Sequence, residues 1–171
     1  MTVCSCFWQR STDWHLDSSG AVVDDVAWFC GHYEFESGPR EQPAMNYRYT
    51  IIYVADVGNT LEFYRAAFGF AILFRHESGD YGELATGGTK LCFSSHGLMK
   101  QIGKEVATMP PEKPSYELAF ETGDVAAGLE RALAAGAVLV SGLATMPWGQ
   151  TLAYVRAPEG TLIEICTPVK A

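Results

Sequence analysis

The sequence predicts an α+β fold of two tandem βαβββ modules forming a concave mixed sheet, and three observations predict it. The run Tyr49-Thr-Ile-Ile-Tyr-Val-Ala-Asp56-Val57 alternates like a strand and ends in Asp-Val before a helical pattern. Tyr116-Glu-Leu-Ala-Phe-Glu-Thr-Gly-Asp124-Val125 repeats it. Farther along, Gly88-Thr89-Lys90-Leu91-Cys92-Phe93 is echoed by Gly160-Thr161-Leu162-Ile163-Glu164-Ile165. A duplicated unit implies two halves about a pseudo-twofold axis, with function in the cleft between them.

The pattern becomes regular at Met45. Arg48–Ala55 alternates as a half-buried strand, and Asp56 is a helix N-cap. Val57, Leu61, Tyr64 and Phe68 then fall on one helical face, and Gly69 closes the helix in the left-handed manner. Three short strands follow at Phe70–Arg75, Tyr81–Thr86 and Thr89–Ser95, with Glu77–Asp80 and Gly87-Gly88 as turns. Residues 96–114, with Pro110, Pro111 and Pro114, read as a linker. The second copy has a strand at Ser115–Glu121, then a helix capped by Asp124 with Val125 and Leu129 inward, closed by Gly136. Strands at Ala137–Ser141, Thr151–Arg156 and Thr161–Thr167 complete it, with Ala157-Pro-Glu-Gly160 as a tight turn. The modules run from about 45 to 96 and from 114 to 171.

Size and charge limit the function. A chain of 171 residues, 48% hydrophobic and 19% charged, fits one globular domain with a real core. A net charge of −8 and the lack of any basic run argue against nucleic acid as a partner. No apolar stretch reaches bilayer length, and the N-terminus lacks a signal-peptide pattern, so neither a membrane nor secretion is expected and the location is read as cytoplasmic. Residues 1–44 hold two arginines against seven acids, without sustained periodicity, and read as a leader or tail. Five cysteines at irregular spacing do not form a disulfide framework. Cys4, Cys6, His15 and Cys30 match no common zinc spacing, so free thiols are the better reading.

Strand alternation assigns faces. Ile163 and Ile165 belong under a helix, so Leu162, Glu164 and Cys166 point to the open side. Tyr116, Leu118 and Phe120 likewise face the helix, leaving Glu117, Ala119 and Glu121 open, and Tyr49, Ile51 and Tyr53 share that open side in the first strand. A carboxylate in mid-strand needs a partner, a cation or water.

The segment from Met45 to Ala171 resembles the vicinal oxygen chelate superfamily, which contains glyoxalase I, extradiol dioxygenases and the bleomycin- and fosfomycin-resistance proteins. The residues that carry the resemblance are Tyr53-Val-Ala-Asp56-Val57, Phe63-Tyr64-x-x-x-Phe68-Gly69-Phe70, Ala134-Ala-Gly136-Ala137, Pro147-Trp148-Gly149-Gln150 and Arg156-Ala-Pro158-Glu159-Gly160-Thr-Leu-Ile163-Glu164. The resemblance implies a glyoxalase/bleomycin-resistance fold, a small-molecule ligand and a homodimer. In metal-using members the first and last strands of each half supply the ligands, usually His and Glu. Those places carry over to Tyr49, Cys92, Glu117 and Glu164, so only Glu164 keeps the usual ligand type.

Two functional readings follow. The first is a binding protein without the family's usual metal or any other cofactor. It holds a small aromatic or cationic molecule, with Glu117 and Glu164 as the chemically active carboxylates. Tyr49, Tyr53, Glu83, Cys92, Trp148 and Gln150 would line the ligand. The second is a divalent-metal lyase, isomerase or dioxygenase, with an oxygen-rich site of Glu117 and Glu164 helped by Glu83. Each candidate also has a bland reading: lost-site remnants for the two glutamates, core packing for Tyr53, a buried apolar residue for Cys92, a structural wedge for Trp148 and plain exposure for Gln150.

Overall fold

A computed structural model of the protein describes residues 45 and 47–169. The acidic leader, with Cys4, Cys6, His15 and Cys30, lies outside the described residues. The described chain runs β1 (Tyr49–Val54), α1 (Val57–Phe68), β2 (Ile72–Arg75), β3 (Tyr81–Leu84), β4 (Lys90–Ser95) and α2 (His96–Gln101). It continues through β5 (Glu117–Glu121), α3 (Val125–Ala134), β6 (Val138–Thr145), β7 (Thr151–Arg156) and β8 (Leu162–Cys166). Both modules are thus βαβββ. The segment expected to be plain linker opens with α2, because the Ser95 hydroxyl accepts the Leu98 N–H at 2.9 Å and starts a helical turn.

The same capping device begins each long helix. Asp56 accepts the Asn59 N–H at 2.8 Å, and Asp124 accepts the Ala127 N–H at 2.9 Å. Gly69 ends α1 at a φ of +77°, a conformation that would strain any residue with a Cβ.

The strands form two four-stranded mixed sheets, ordered β1-β4-β3-β2 and β5-β8-β7-β6. In each, the first strand lies parallel to the last and the remaining pairings are antiparallel. α1 and α3 pack on each other, and one apolar core joins the modules through Leu61, Tyr64, Leu84, Phe93, Val155 and Ile163. Burial of such side chains contributes about 1.5–3 kcal/mol each.

The two helices are unequal partners. Phe63, Tyr64 and Phe68 make α1 bulky, whereas α3 buries Gly128 and Ala132. A Cβ at Gly128 would approach Ile165 Cγ2 at 3.1 Å, so the small residue lets α3 sit close to its sheet. Phe68 reaches into the second module, 5.0 Å from Phe120 between ring centroids. The Tyr64 hydroxyl donates to Glu159 Oε1 at 2.8 Å, so a partly buried polar bond also joins the modules.

Candidate functional site

With one face of each sheet on the helices, the other face is open. The burial of β1 alternates as expected: Tyr49 and Ile51 are exposed while Ile52 and Val54 are buried. Glu117, Ala119 and Glu121 are exposed along β5, and Ile163 and Ile165 are buried along β8. Tyr116 departs from the expectation. It precedes β5 and is 54% exposed.

The register supports the positional equivalences drawn from the repeat. Tyr49 lies opposite Lys90 and Glu117 opposite Leu162, the residue that repeats Lys90. Cys92 lies between Ile51 and Glu83, and Glu164 between Ala119 and Tyr154. Glu83 and Tyr154 are therefore also equivalent places.

In module 2 the structure brings Glu117, Glu164 and Tyr154 together. The Tyr154 hydroxyl donates to Glu164 Oε2 at 2.6 Å, and this bond to an acceptor carboxylate, then burial, pushes the tyrosine well above its ordinary pKa. Desolvation, then the charge of Glu164 and a hydrogen bond to it, pushes the Glu117 carboxyl upward as well. Glu117 therefore holds a proton more readily than a free glutamate. Burial, a hydrogen bond to Glu164 and the surrounding carboxylates raise the Cys166 thiol to about 11.

Module 1 places a different set on the matching face. Lys90 Nζ donates to Glu83 Oε2 at 2.6 Å, and the Tyr81 hydroxyl donates to Glu83 Oε1 at 3.0 Å. The hydrogen bond from Lys90 lowers the Glu83 carboxyl, and Glu83 in turn raises Lys90. Lys90 Nζ also sits 5.9 Å from the centroid of the Tyr49 ring. Burial pushes the Cys92 thiol up, so it stays protonated at neutral pH.

The remaining candidates lie apart from these two networks. Tyr53 is on the open side of β1, with Lys104 Nζ 3.3 Å from its hydroxyl and 5.7 Å from its ring centroid. Trp148 is 54% exposed on the β6–β7 turn, and its Nε1 donates to Gln150 Oε1 at 3.0 Å. Gln150 Nε2 donates to the Thr167 carbonyl at 2.7 Å, so its amide is engaged at both ends. A groove of about 750 Å³ runs along β1 to the proline linker and the 158–162 turn, and includes Tyr53, His96, Met109 and Tyr116.

The four places that bear ligands in metal-using relatives do not fit a divalent ion in this chain. Cys92 is a soft donor beside hard carboxylates, and Tyr49 stands where a histidine is usual. Among the described residues no three His, Cys, Asp or Glu converge on one point. His76 Nδ1 is 2.9 Å from the Ser78 hydroxyl.

Sequence reasoning missed Tyr154, Tyr81 and Lys90. Tyr154 was legible as the residue facing Glu164 once the β7–β8 turn fixed the hairpin register. Lys90 was legible as the one charge in the first Gly-Thr repeat, where the second copy has Leu162.

Known proteins share this architecture. A glyoxalase-related enzyme from Fulvimarina pelagi superposes with a TM-score of 0.63 at 26% identity, covering 72% of this chain and 88% of its own. A glyoxalase/bleomycin resistance protein/dioxygenase family enzyme from Burkholderia phytofirmans PsJN gives 0.61 at 22% identity, covering 71% and 97%. A glyoxalase/bleomycin resistance protein/dioxygenase from Nocardioides gives 0.62 at 18%, covering 77% and 89%. No curated protein matches the chain. The profile of the Glyoxalase/Bleomycin resistance protein/Dioxygenase superfamily matches residues 46–165, most of the chain. With that match and the two βαβββ modules, the chain belongs to the Glyoxalase/Bleomycin resistance protein/Dioxygenase superfamily.

Proposed function

We propose that the protein binds a small molecule in a cleft formed by the helix-free faces of its modules, without the metal that many relatives use, and works as a cytoplasmic homodimer. The observation that carries this reading is the Glu117–Glu164 pair, braced by Tyr154 on an open sheet face. Two adjacent carboxylates, one pushed toward its protonated form, suit a ligand with a cationic or hydrogen-bond-donating group. Tyr49 and Ile51, both exposed, supply apolar surface for a flat ring. The donor set at the family's ligand places supports the metal-free part of the reading.

The experiment is a thermal-shift and calorimetry screen of cationic and aromatic small molecules, beside metal analysis of protein purified without chelator. A hit whose affinity falls at least about tenfold in Glu164→Gln supports the reading. Stoichiometric divalent metal, lost in Glu164→Ala, overturns its metal-free part. A metal-free protein that binds nothing in the screen overturns the ligand assignment.

A further inference from the structure

The groove beside β1 holds neither Glu117 nor Glu164, so it stands apart from the carboxylate pair. Its volume of about 750 Å³ is that of a small-molecule site. One wall is the outer edge of β1, the end strand of its sheet. The Lys90 backbone N–H donates to the Arg48 carbonyl at 3.1 Å, so Arg48, Thr50, Ile52 and Val54 turn their backbone groups toward β4. Ile51 and Tyr53, which alternate with them and line the groove, turn their N–H and C=O groups away from β4. Among the described residues these outward groups have no backbone partner. The edge therefore offers fixed donors and acceptors inside a recess.

The rest of the lining is largely apolar. Met109, Pro110, Pro111, Pro114 and Tyr116 give stiff or flat surfaces that suit a ring. The cations sit at one end. Val54 lies opposite Ser95, so His96 follows at the end of β1 where Tyr53 lies. There Lys104 Nζ is 3.3 Å from the Tyr53 hydroxyl and 5.7 Å from its ring centroid. An ammonium has three donors, and the Tyr53 bond uses one. His96 is the one base and Glu159 the one acid in the lining among the described residues, and Glu159 Oε1 accepts the Tyr64 hydroxyl. Asp56, just beyond, is held by the backbone and side-chain N–H groups of Asn59.

We infer that this groove is a second ligand site, which takes a flat aromatic carboxylate. The ring lies between the β1 edge and the prolines, and the carboxylate accepts from Lys104, His96 and the outward N–H of Tyr53. The site goes beyond the function proposed above, since it selects an anion where the Glu117–Glu164 pair selects a cation.

The test is calorimetry of the full chain with 2-naphthoate and with its uncharged match, 2-naphthamide. Naphthoate is expected to bind at least about tenfold tighter than naphthamide. Lys104 is exposed, so Lys104→Gln leaves the fold intact. It should weaken naphthoate about fivefold or more and flatten its salt dependence. His96→Gln, with circular dichroism to check folding, should weaken naphthoate about threefold. Both variants should leave naphthamide within about twofold of wild type, which a merely structural role would not do. No binding of naphthoate, equal affinity for naphthamide, or no effect of either variant overturns the site. Naphthoate binding that falls in Glu164→Gln but not in Lys104→Gln puts the probe on the open face and also overturns it. So does a dimer, seen by sedimentation, that naphthoate dissociates, because a second copy then fills the groove. The cationic ligand is scored separately by its own loss in Glu164→Gln, so either site can fail while the other stands.

Discussion

On the open face of module 1 a carboxylate and an ammonium satisfy each other, with Tyr81 as a second donor to Glu83. On the matching face of module 2 two carboxylates share one region, and a tyrosine is the donor to one of them. The places are equivalent in register, so backbone geometry does not explain the contrast. Exposed sheet positions tolerate change because no core packing depends on them, and the helix-facing positions between them stay apolar in both copies. A duplicated scaffold can thus keep its core while its two faces take opposite electrostatic characters.

The turns before the last strands sharpen the comparison most. Gly160 has a φ of +100°, and a Cβ there would lie 2.2 Å from Pro110 Cβ. Gly88, its counterpart in the repeat, has no atom within 4 Å of such a Cβ and no positive φ. Gly160→Ala combines left-handed strain with a clash against a rigid ring, and is expected to destabilise by about 2–4 kcal/mol. Gly88→Ala should stay within about 0.5 kcal/mol of wild type. Urea unfolding of both variants measures the difference. Equal effects would show that the linker does not press on the second module's turn.

The opposed pKa shifts predict opposed pH slopes. Glu117 is raised in the folded chain, so between its unfolded and folded values the native state binds more protons. Its contribution to stability is present below the unfolded value and is lost as pH rises through the folded one. Glu83 is lowered, so its contribution is present above the unfolded value and is lost as pH falls through the folded one. At neutral pH, Glu117→Gln should therefore stabilise the protein and Glu83→Gln destabilise it. Unfolding from pH 3 to 8, at one protein concentration, reads the two differences from wild type. Slopes of the same sign would mean that the two faces are electrostatically alike.

The fold was legible because it rests on features with local signatures. Asp56 and Asp124 cap helices, Gly69 closes one, and β1 and β5 alternate as written, as does β8 up to Ile165, with Cys166 buried where an open position was expected. The short α2 was not legible, since Ser95 acts at once as the end of a strand and as a cap. The site was legible in part. Alternation gave the open face of Glu117 and Glu164, and the repeat gave their counterparts Tyr49 and Cys92. The hydrogen bonds of Tyr154 and Lys90 depend on which residues lie opposite across neighbouring strands, a register set by the turns of the β7–β8 and β3–β4 hairpins. The bond from Tyr64 to Glu159 spans 95 positions and left no local trace.

The smallest expected contrast concerns the two thiols. Cys92 and Cys166 are both buried and both raised, with desolvation the largest cause in each. At Cys92, the neighbouring Tyr81 hydroxyl and the charge of Lys90 oppose the rise, while the charge of Glu83 adds to it. At Cys166, the hydrogen bond to Glu164 and the charges of Glu164, Glu121 and Glu117 all add to it. The thiolate is the nucleophile, so at equal burial Cys92 should be alkylated before Cys166. Timed iodoacetamide labelling of the native protein near pH 9, resolved by peptide mass mapping, tests this. The order should hold in Glu117→Gln with a narrower gap, because that variant removes one of the charges acting on Cys166. An unchanged gap would place Glu117 too far from the thiol to act on it, and a reversed order would mean that access, not charge, separates the two faces.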